Sequence, residues 1–394
     1  MAHNKCSDSG PKYKQVTAQE VHQLVSETLK AHFKLEMSDS LYGAQSIWDV
    51  LIAAAVERIT IEMACGLLEQ APSPNTVRST VKRLLPDEES LGELEETVNA
   101  LLVARLPKKL LDKPLRCAID ITEIPYHGRH EDDDEGVRRG RAKSGTTHFH
   151  CFATLYTIKN NKRYTLALTL MRRSDKALDI LKRLLVQRGQ RLALRLKRLY
   201  LDRGFDNNAV VAFLKQQPFP TIIPLTIRGK TGGTRTLLVG RKSYHTTYTR
   251  SSTLYGEQTF RVQVVCKYSK ARYGRHGIYR FAYLLIGDLK LSPQQVFEEF
   301  RSRFGIEASY RLMNTVRART TSTSVALRLF FVALALLLLN LWSYFKWSHL
   351  FVPDRGPRQV LHHLLPLDRW RLWLWQIVKQ RLGFSLDITI PLPV

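Results

Sequence analysis

Residues 115–126 (LRCAIDITEIPY) and residues 196–205 (LKRLYLDRGF) decide the fold of this chain. Each begins with an apolar run typical of a buried strand, and each carries an aspartate, Asp120 in the first and Asp202 in the second. Because a charge is costly to bury, a central strand rarely carries a carboxylate toward the core without a reason. If the two strands are neighbours, their aspartates meet.

The segments around these strands predict an α/β fold. Residues 147–159 and 162–172 have strand-like patterns and are separated by Asn160-Asn161, which predicts a β-hairpin. Residues 174–189 and 207–217 have helical periodicity. Three strands, a helix, a fourth strand and a helix, with carboxylates at the ends of the first and fourth strands, is the order of an RNase H-like fold.

The pattern along the chain predicts an RNase H-like catalytic core, a β-rich insertion and an N-terminal helical domain. Within the helical domain, residues 59–85 predict two helices around a break at APSP, which is typical of a helix-turn-helix. An ordinary helical hairpin has the same pattern. The predicted segments are 1–115 (helical, DNA-binding), 116–219 (core, first part), 220–290 (insertion), 291–350 (core, second part) and 351–394 (C-terminal extension).

The positive charge lies in the later part of the chain and predicts an anionic partner. Residues 1–119 contain 14 Lys and Arg against 16 Asp and Glu, whereas residues 120–394 contain 46 against 19. The insertion alone has 13 basic residues, interleaved with tyrosines, against only Glu257 and Asp288. Basic groups between aromatic rings favour a nucleic-acid backbone and unstacked bases.

Two features bear on the cellular location. The five cysteines are scattered and form no Cys-x-x-Cys pair, which fits a reducing cytoplasm and argues against a structural zinc site. Residues 329–345 are uncharged over 17 positions, at the short limit for a membrane span. We expect a helix buried in the protein, with a membrane-anchored protein as the alternative.

A site for metal-dependent phosphoryl transfer needs a third hard oxygen ligand beside the two aspartates, and two Mg²⁺ (or Mn²⁺) ions suit such a site. Glu307 is the candidate, because it lies on a predicted helix over residues 293–320 among arginines. On a continuous helix, Arg303, Glu307, Asn314 and Arg317 would share one face with Tyr310 or Arg311. Glu123 and Asp206 are the other acids near the site; we expect Asp206 to cap the following helix.

These residues resemble the signature of DDE transposases of bacterial and archaeal insertion sequences, in the subgroup with a Tyr-x2-Arg-x3-Glu-x6-Lys motif and a β-strand insertion. Within that subgroup the chain is most similar to the branch first described from halobacteria. The matches are Asp120 in AIDITEIPY, Asp202 in LYLDRGF, and Arg303 and Glu307 in residues 300–320. The spacings of 82 and 105 residues leave room for the insertion, and the resemblance covers about residues 45–345.

The resemblance implies cut-and-paste transposition by an enzyme that cleaves at the element's terminal inverted repeats and joins the ends to target DNA. It implies that Asp120, Asp202 and Glu307 hold two Mg²⁺ or Mn²⁺ ions, that a homodimer forms on double-stranded DNA, and that the protein is cytoplasmic and nucleoid-associated. The predicted DNA-binding residues are Arg303, Tyr310, Arg311, Asn314, Arg317, Arg319, Arg78 and Lys82.

Two departures from the signature leave open which residue contacts the end of the DNA. Phe300 stands at the tyrosine position and Asn314 at the lysine position, so Tyr310, Arg311 or Arg317 is the expected substitute. The alternatives are a catalytically inactive, transposase-derived DNA-binding protein and an RNase H-like nuclease without strand transfer.

Overall fold

The computed structural model describes residues 15–35, 42–87, 90–129, 135–159, 162–189, 192, 194–270, 276–301, 303, 305–352, 359–385 and 387. Twelve α-helices and eleven strands lie in this part of the chain. They assemble into a helical N-terminal part and one large mixed sheet with helices packed on it, an α/β architecture.

The N-terminal part contains six helices, and local sequence sets where two of them begin. Thr17 and Glu20 form a reciprocal capping box at the first helix, and the Ser73 side chain accepts a hydrogen bond from the backbone of Thr76 at the fourth. The helices are α1 (Ala18–His32), α2 (Ala44–Glu57), α3 (Ile61–Gly66), α4 (Pro74–Leu84), α5 (Leu91–Val103) and α6 (Lys108–Leu111). The predicted pair of helices around APSP is therefore present as α3 and α4.

The C-terminal helix α12 (Leu367–Leu382) packs against α1 and α2 and is joined to them by a buried polar contact. Asp49, which is fully buried, lies 2.7 Å from Nε2 of His22 and accepts hydrogen bonds from Gln45 and from Nε of Arg381. Burial alone would raise the pKa of Asp49, but the hydrogen bonds from His22 and Arg381 lower it below its ordinary value. The contact fixes the C-terminal helix to the N-terminal part.

In the part of the chain that the structure describes, the sheet contains nine strands, with both antiparallel and parallel neighbours. Strand β1 pairs with β3 antiparallel and with β5 parallel, β5 pairs with β6 parallel, and β6 pairs with β9 antiparallel. The order is β2-β3-β1-β5-β6-β9-β8-β7, with β4 also paired to β3. The strands are β1 (Leu115–Pro125), β2 (Arg138–Lys143), β3 (Thr146–Lys159), β4 (Lys162–Met171), β5 (Leu196–Leu201), β6 (Thr221–Pro224), β7 (Tyr244–Arg250), β8 (Gln258–Lys270) and β9 (His276–Ile286).

The strands of residues 220–290 continue the same sheet, because β6 lies beside β5 and carries β9, β8 and β7 after it. The hairpin predicted at Asn160-Asn161 is confirmed by the pairing of Lys159 with Lys162, although the two turn residues lie outside the described part of the chain. Two more strands, β10 (Phe351–Val352) and β11 (Gln359–Val360), form a separate small pair.

The remaining helices cover the sheet. They are α7 (Ala177–Lys182), which continues as a π-helix over Arg183–Gly189, α8 (Asn208–Lys215), α9 (Pro293–Arg301), α10 (Gly305–Thr315) and α11 (Val325–His349). Helix α11 is long and apolar enough to cross a membrane by length and composition, but 83% of its most apolar window is buried inside the protein. The prediction of a buried helix over 329–345 is confirmed.

Side chains of α5 and α11 satisfy the backbone of the edge strand β4. The Asn340 amide accepts from N–H of Thr165 (2.9 Å) and donates to its carbonyl (2.8 Å) and to that of Leu102 (2.9 Å). Asn99 bonds both backbone groups of Leu168 in the same way. A buried edge strand needs such partners, because its outer N–H and C=O groups have no neighbouring strand.

The continuous helix predicted over 293–320 is wrong, because α9 ends at Arg301 and α10 extends only from Gly305 to Thr315. Helix α10 begins at Gly305, a residue type that weakens helix interiors. The predicted single face is therefore absent: Phe300, Arg303 and Tyr310 are buried, whereas Arg311 and Asn314 are exposed.

Candidate active site

The register of β1 and β5 brings the two predicted aspartates together. Ile119 pairs with Leu201, so Asp120 and Asp202 follow at the next position of two parallel neighbours. The pair before Ile119 and Leu201 is Ala118 and Tyr200, and it belongs to the core on one face of the sheet. Since side chains alternate along strands, Asp120 lies on that same face, which α9 and α10 cover.

Arg303 lies between the two aspartates and contacts both. Its guanidinium is 3.2 Å from Oδ2 of Asp120 and 3.4 Å from Oδ1 of Asp202. The Arg303 side chain is only 6% exposed, Asp120 is 13% exposed and Asp202 is 47% exposed. Arg303 occupies the break between α9 and α10, and its guanidinium also lies over the Phe300 ring at 5.2 Å. The predicted convergence of Asp120 and Asp202 is confirmed, and a cation stands between them.

The buried Tyr310 hydrogen-bonds to the backbone of Asp120 and so helps to hold β1 in position. Its hydroxyl donates to the backbone carbonyl of Asp120 (2.8 Å) and hydrogen-bonds Oγ1 of Thr154 on β3 (2.7 Å). Burial, and then the nearby charge of Asp120, raise the pKa of Tyr310 well above its usual range, so the phenol stays protonated. The structure thus places this predicted DNA-binding residue beneath the aspartates.

Glu307 lies in the first turn of α10, three residues before Tyr310, and its side chain is outside the described part of the structure. Among the described side chains, no three of His, Cys, Asp and Glu gather at one point that could hold a metal ion. The chemistry of Asp120 and Asp202 suits a divalent cation, because their two carboxylates already contact the same positive group, the Arg303 guanidinium.

Glu299 is an acid near the site that sequence reasoning did not single out. It accepts a hydrogen bond from the Tyr200 hydroxyl (2.9 Å), lies 3.5 Å from Arg116, and pairs with Arg198. These partners lie on β1 and β5, on the strand segments that precede the two aspartates. Glu299 therefore anchors α9 to the sheet four residues before Arg303. The sequence signal for Glu299 was its position four residues before Arg303 on a predicted helix, since residues at that spacing are neighbours on a helix.

Two other acids near the site have different positions from the aspartates. Glu123 is exposed and lies an odd number of residues from Asp120 on β1, so it points to the opposite face. The expectation that Asp206 caps α8 is wrong, because Asn207 makes that cap. Asp206 is buried, accepts from the backbone of Thr226 (2.6 Å) and pairs with Arg250 of β7 at 2.8 Å. It ties the outer strands to the core.

The other predicted DNA-binding residues lie at or near the surface. Arg311, Asn314 and Arg319 are exposed, and Arg317 is half-buried. Exposed Arg78 and Lys82 lie on α4, where Arg78 pairs with Glu62 of α3. Helix α4 packs against α3, and Arg78 and Lys82 line a cleft together with residues 319–324.

Basic and aromatic side chains form a surface along α9 and strands β8 and β9. The rings of Phe281 and Phe297 lie 5.1 Å apart, and the cations of Lys267 and Arg301 lie 5.0 and 5.6 Å from the Phe297 ring. Tyr279, two residues before Phe281 on the same strand face, is 46% exposed. This surface lies on the sheet face that carries Asp120.

Comparison with known proteins shows a similarity of fold. The chain is similar in structure to piggyBac transposase, solved by cryo-electron microscopy as a synaptic complex with hairpin DNA. The TM-score is 0.52, 12% of the aligned residues are identical, and the match covers 95% of this chain and 83% of that one. No protein-family model matches the sequence, and no curated protein matches it at a significant level.

Proposed function

We propose that this protein is a DNA transposase of the DDE type, which cuts and joins DNA by metal-dependent phosphoryl transfer. The observation that carries the proposal is the convergence of Asp120, in β1, and Asp202, directly after the parallel neighbour β5, on one buried cation. Asp120 is 13% exposed and Asp202 is 47% exposed, so a carboxylate that is costly to bury lies beside one that solvent can reach, which suits a functional site.

The fold supports the same proposal. Strands β4, β3, β1, β5 and β6 lie in that order, with the first three antiparallel and β1, β5 and β6 parallel, which is the arrangement we assign to an RNase H-like core. The fold similarity to piggyBac transposase, a protein solved with hairpin DNA, points to the same class of reaction. The subgroup is the insertion-sequence type that the sequence signature resembles.

Asp120, Asp202 and Glu307 are the residues that would hold two Mg²⁺ or Mn²⁺ ions. The ions would act as Lewis acids that activate the attacking oxygen and stabilise the leaving oxygen. Tyr310 keeps β1 in position through the Asp120 carbonyl, and Glu299 keeps α9 against the sheet. Arg303 supplies a positive group beside the aspartates, suited to a phosphate of the DNA.

DNA is the partner that the charge distribution favours. The basic and aromatic surface around Phe297 lies on the face of the sheet that carries Asp120. Lys and Arg neutralise phosphates, and exposed rings stack with bases. Because two element ends must be joined, we expect a homodimer on the terminal inverted repeats, acting on target DNA in the cytoplasm at the nucleoid.

The experiment is a cleavage assay on a supercoiled plasmid that carries the gene and its flanking DNA, with Mg²⁺ or Mn²⁺. Asp202→Asn keeps the size of the side chain and removes its charge, so we expect cleavage to fall by about 100-fold or more. Glu123→Gln is the matched control, since Glu123 is an exposed acid on the opposite face of the sheet.

The outcomes separate the alternatives. Equal cleavage by wild type and Asp202→Asn would overturn the assignment of the site. Cleavage without joined products would identify a nuclease, and DNA binding without any cleavage would identify a DNA-binding protein derived from a transposase.

A further inference from the structure

A polar cleft of about 520 Å³ lies on the face of the sheet opposite to Asp120. Three elements line it: the start of α8 (Asn207 and Asn208), the loop after β6 (Arg228 and Thr234) and the end of β7 (Arg250). The Arg250 guanidinium lies 4.8 Å from the centre of the Phe260 ring, which belongs to the core on this face. We call this cleft the Arg250 cleft. The basic and aromatic surface around Phe297 lies on the other face of the sheet.

Arg250 pairs with an acid but leaves two of its nitrogens without an acceptor. Its Nη1 lies 2.8 Å from Oδ1 of Asp206, a fully buried carboxylate that also accepts from the N–H of Thr226 (2.6 Å). The Nε and Nη2 atoms of Arg250 are buried and have no hydrogen-bond partner among the described residues. A buried donor without an acceptor is unfavourable, and more so on a charged group. These two nitrogens therefore favour a ligand that brings acceptor oxygens.

A second guanidinium, that of Arg228, comes from a closed loop. The N–H of Arg228 donates to Oγ1 of the buried Thr234 (2.7 Å), and that hydroxyl donates to the Thr226 carbonyl (2.8 Å). Gly233 has a φ of 62°, and a Cβ there would lie 2.9 Å from the Arg228 carbonyl oxygen, so the closure of the loop favours glycine. The described residues that line the cleft include no carboxylate, so Arg228 and Arg250 make the lining positive.

We propose that the Arg250 cleft binds a phosphate group. A phosphate brings the negative charge and the several acceptor oxygens that suit this lining, and a guanidinium binds phosphate oxygens through two parallel hydrogen bonds. Nε and Nη2 of Arg250 form one such edge, and Arg228 supplies a second positive charge. Two sources have this chemistry, free phosphate and a phosphate of the DNA backbone. The site itself does not depend on the proposed function.

The cleft lies beside the loop that carries Asp202. A single turn of 3₁₀-helix, Arg203–Phe205, separates Asp202 from Asp206. Asp206 is the acid that pairs with Arg250. Both acids follow the carboxyl end of β5, and Arg228 follows that of the parallel neighbour β6. Ligands of open α/β sheets bind at such ends. A bound phosphate therefore contacts, through Arg250, the segment that positions Asp202.

Thermal unfolding in sodium phosphate, compared with sodium chloride at equal ionic strength, tests the site. We expect phosphate to raise the Tm of wild type more than chloride does. Arg228→Gln removes one guanidinium, so we expect about tenfold weaker phosphate binding and a smaller rise in Tm. Arg228 is exposed, so this change leaves the fold intact. Arg241→Gln is the matched control with a wild-type response, since Arg241 is an exposed arginine of the same insertion outside the described lining.

Arg250→Lys tests the second guanidinium. Lysine keeps a positive charge for Asp206 but lacks the planar edge formed by Nε and Nη2. We expect this variant to lose the extra rise in phosphate as well; if it does not fold, Arg228→Gln decides alone. An equal phosphate response in wild type and in the cleft variants would overturn the proposal. So would a wild-type Tm that rises no more in phosphate than in chloride.

A DNA duplex in EDTA, where no cleavage occurs, identifies the source of the phosphate. If the DNA backbone occupies the cleft, saturating duplex abolishes the extra effect of free phosphate. A plot of log Kobs for the duplex against log KCl concentration is then less steep by about 1 in Arg228→Gln. If free phosphate is the ligand, its effect persists with duplex bound and the slope is unchanged. Both results support the site, and neither needs cleavage, so the plasmid assay with Asp202→Asn fails or succeeds independently.

Discussion

Arg303→Met removes the positive charge between the aspartates and keeps a flexible apolar side chain against the Phe300 ring. The expected cost follows from the exposure of the two partners. Asp120 is 13% exposed, and removing one partner of such a buried pair costs about 3–5 kcal/mol. Asp202 is 47% exposed, so its pairing adds only about 0–1 kcal/mol. Without divalent ions, we expect the variant to lose about 3–5 kcal/mol of stability.

Divalent ions should reverse this effect. In the wild type a bound cation must compete with Arg303 for both carboxylates, whereas in the variant it does not. If the competition costs about 3 kcal/mol, Mn²⁺ binds the variant about 100-fold more tightly. Thermal unfolding with and without Mn²⁺ measures this, and the ion should raise the Tm of Arg303→Met more than that of wild type.

Two controls make the result specific. Arg301→Met changes an exposed arginine two residues away, and we expect the wild-type response to Mn²⁺. Adding Asp202→Asn to Arg303→Met should abolish the larger response. If Mn²⁺ shifts the Tm of wild type and Arg303→Met equally, Arg303 does not occupy the position of a metal ion, and the reasoning fails.

Three further changes test the support of the site and the fold. Tyr310→Phe removes the hydroxyl that holds the Asp120 carbonyl, so cleavage should slow while DNA affinity, measured by anisotropy, stays the same; weaker binding would return Tyr310 to a DNA contact. Asn340→Leu leaves buried backbone groups of β4 without partners and should cost about 2–4 kcal/mol by urea unfolding, against a result near zero if water replaces the amide. Asp49→Asn should destabilise at pH 7 and progressively less as the pH falls below 3.8, because the lowered pKa of Asp49 gives stability that is complete above the ordinary value of 3.8 and lost as the pH falls through the folded-state pKa; a pH-independent difference would contradict this.

Local sequence patterns predicted much of the fold. The apolar runs before Asp120 and Asp202 belong to strands β1 and β5, although the expectation that the first strand ends near Asp120 is wrong, because pairing with β3 extends β1 to Pro125. The uncharged stretch over 329–345 lies in the buried helix α11. The two helices predicted around APSP are α3 and α4, and Ser73 caps α4. These features depend on period, burial and capping, which a short segment of sequence expresses by itself.

The site was only partly accessible from the sequence. The meeting of Asp120 and Asp202 followed from two neighbouring strands that each carry an acid, and the contact of both with Arg303 bears it out. The single helical face predicted around Glu307 did not form, since a wheel assumes one continuous helix and the structure has two, α9 ending at Arg301 and α10 beginning at Gly305. The catalytic and metal-binding roles of the three acids remain predictions.

The sequence by itself determined the basic character of the protein, its alternation of helices and strands, and the two strands that present acids. The tertiary structure alone decided that β6–β9 extend one sheet, that Tyr310 lies beneath Asp120, and that the Arg303 guanidinium contacts both aspartates. The physical reason is that periodicity reports the immediate neighbours along the chain. Pairing, charge balance and hydrogen bonding between distant segments depend on which elements pack together, and packing is a property of the whole molecule.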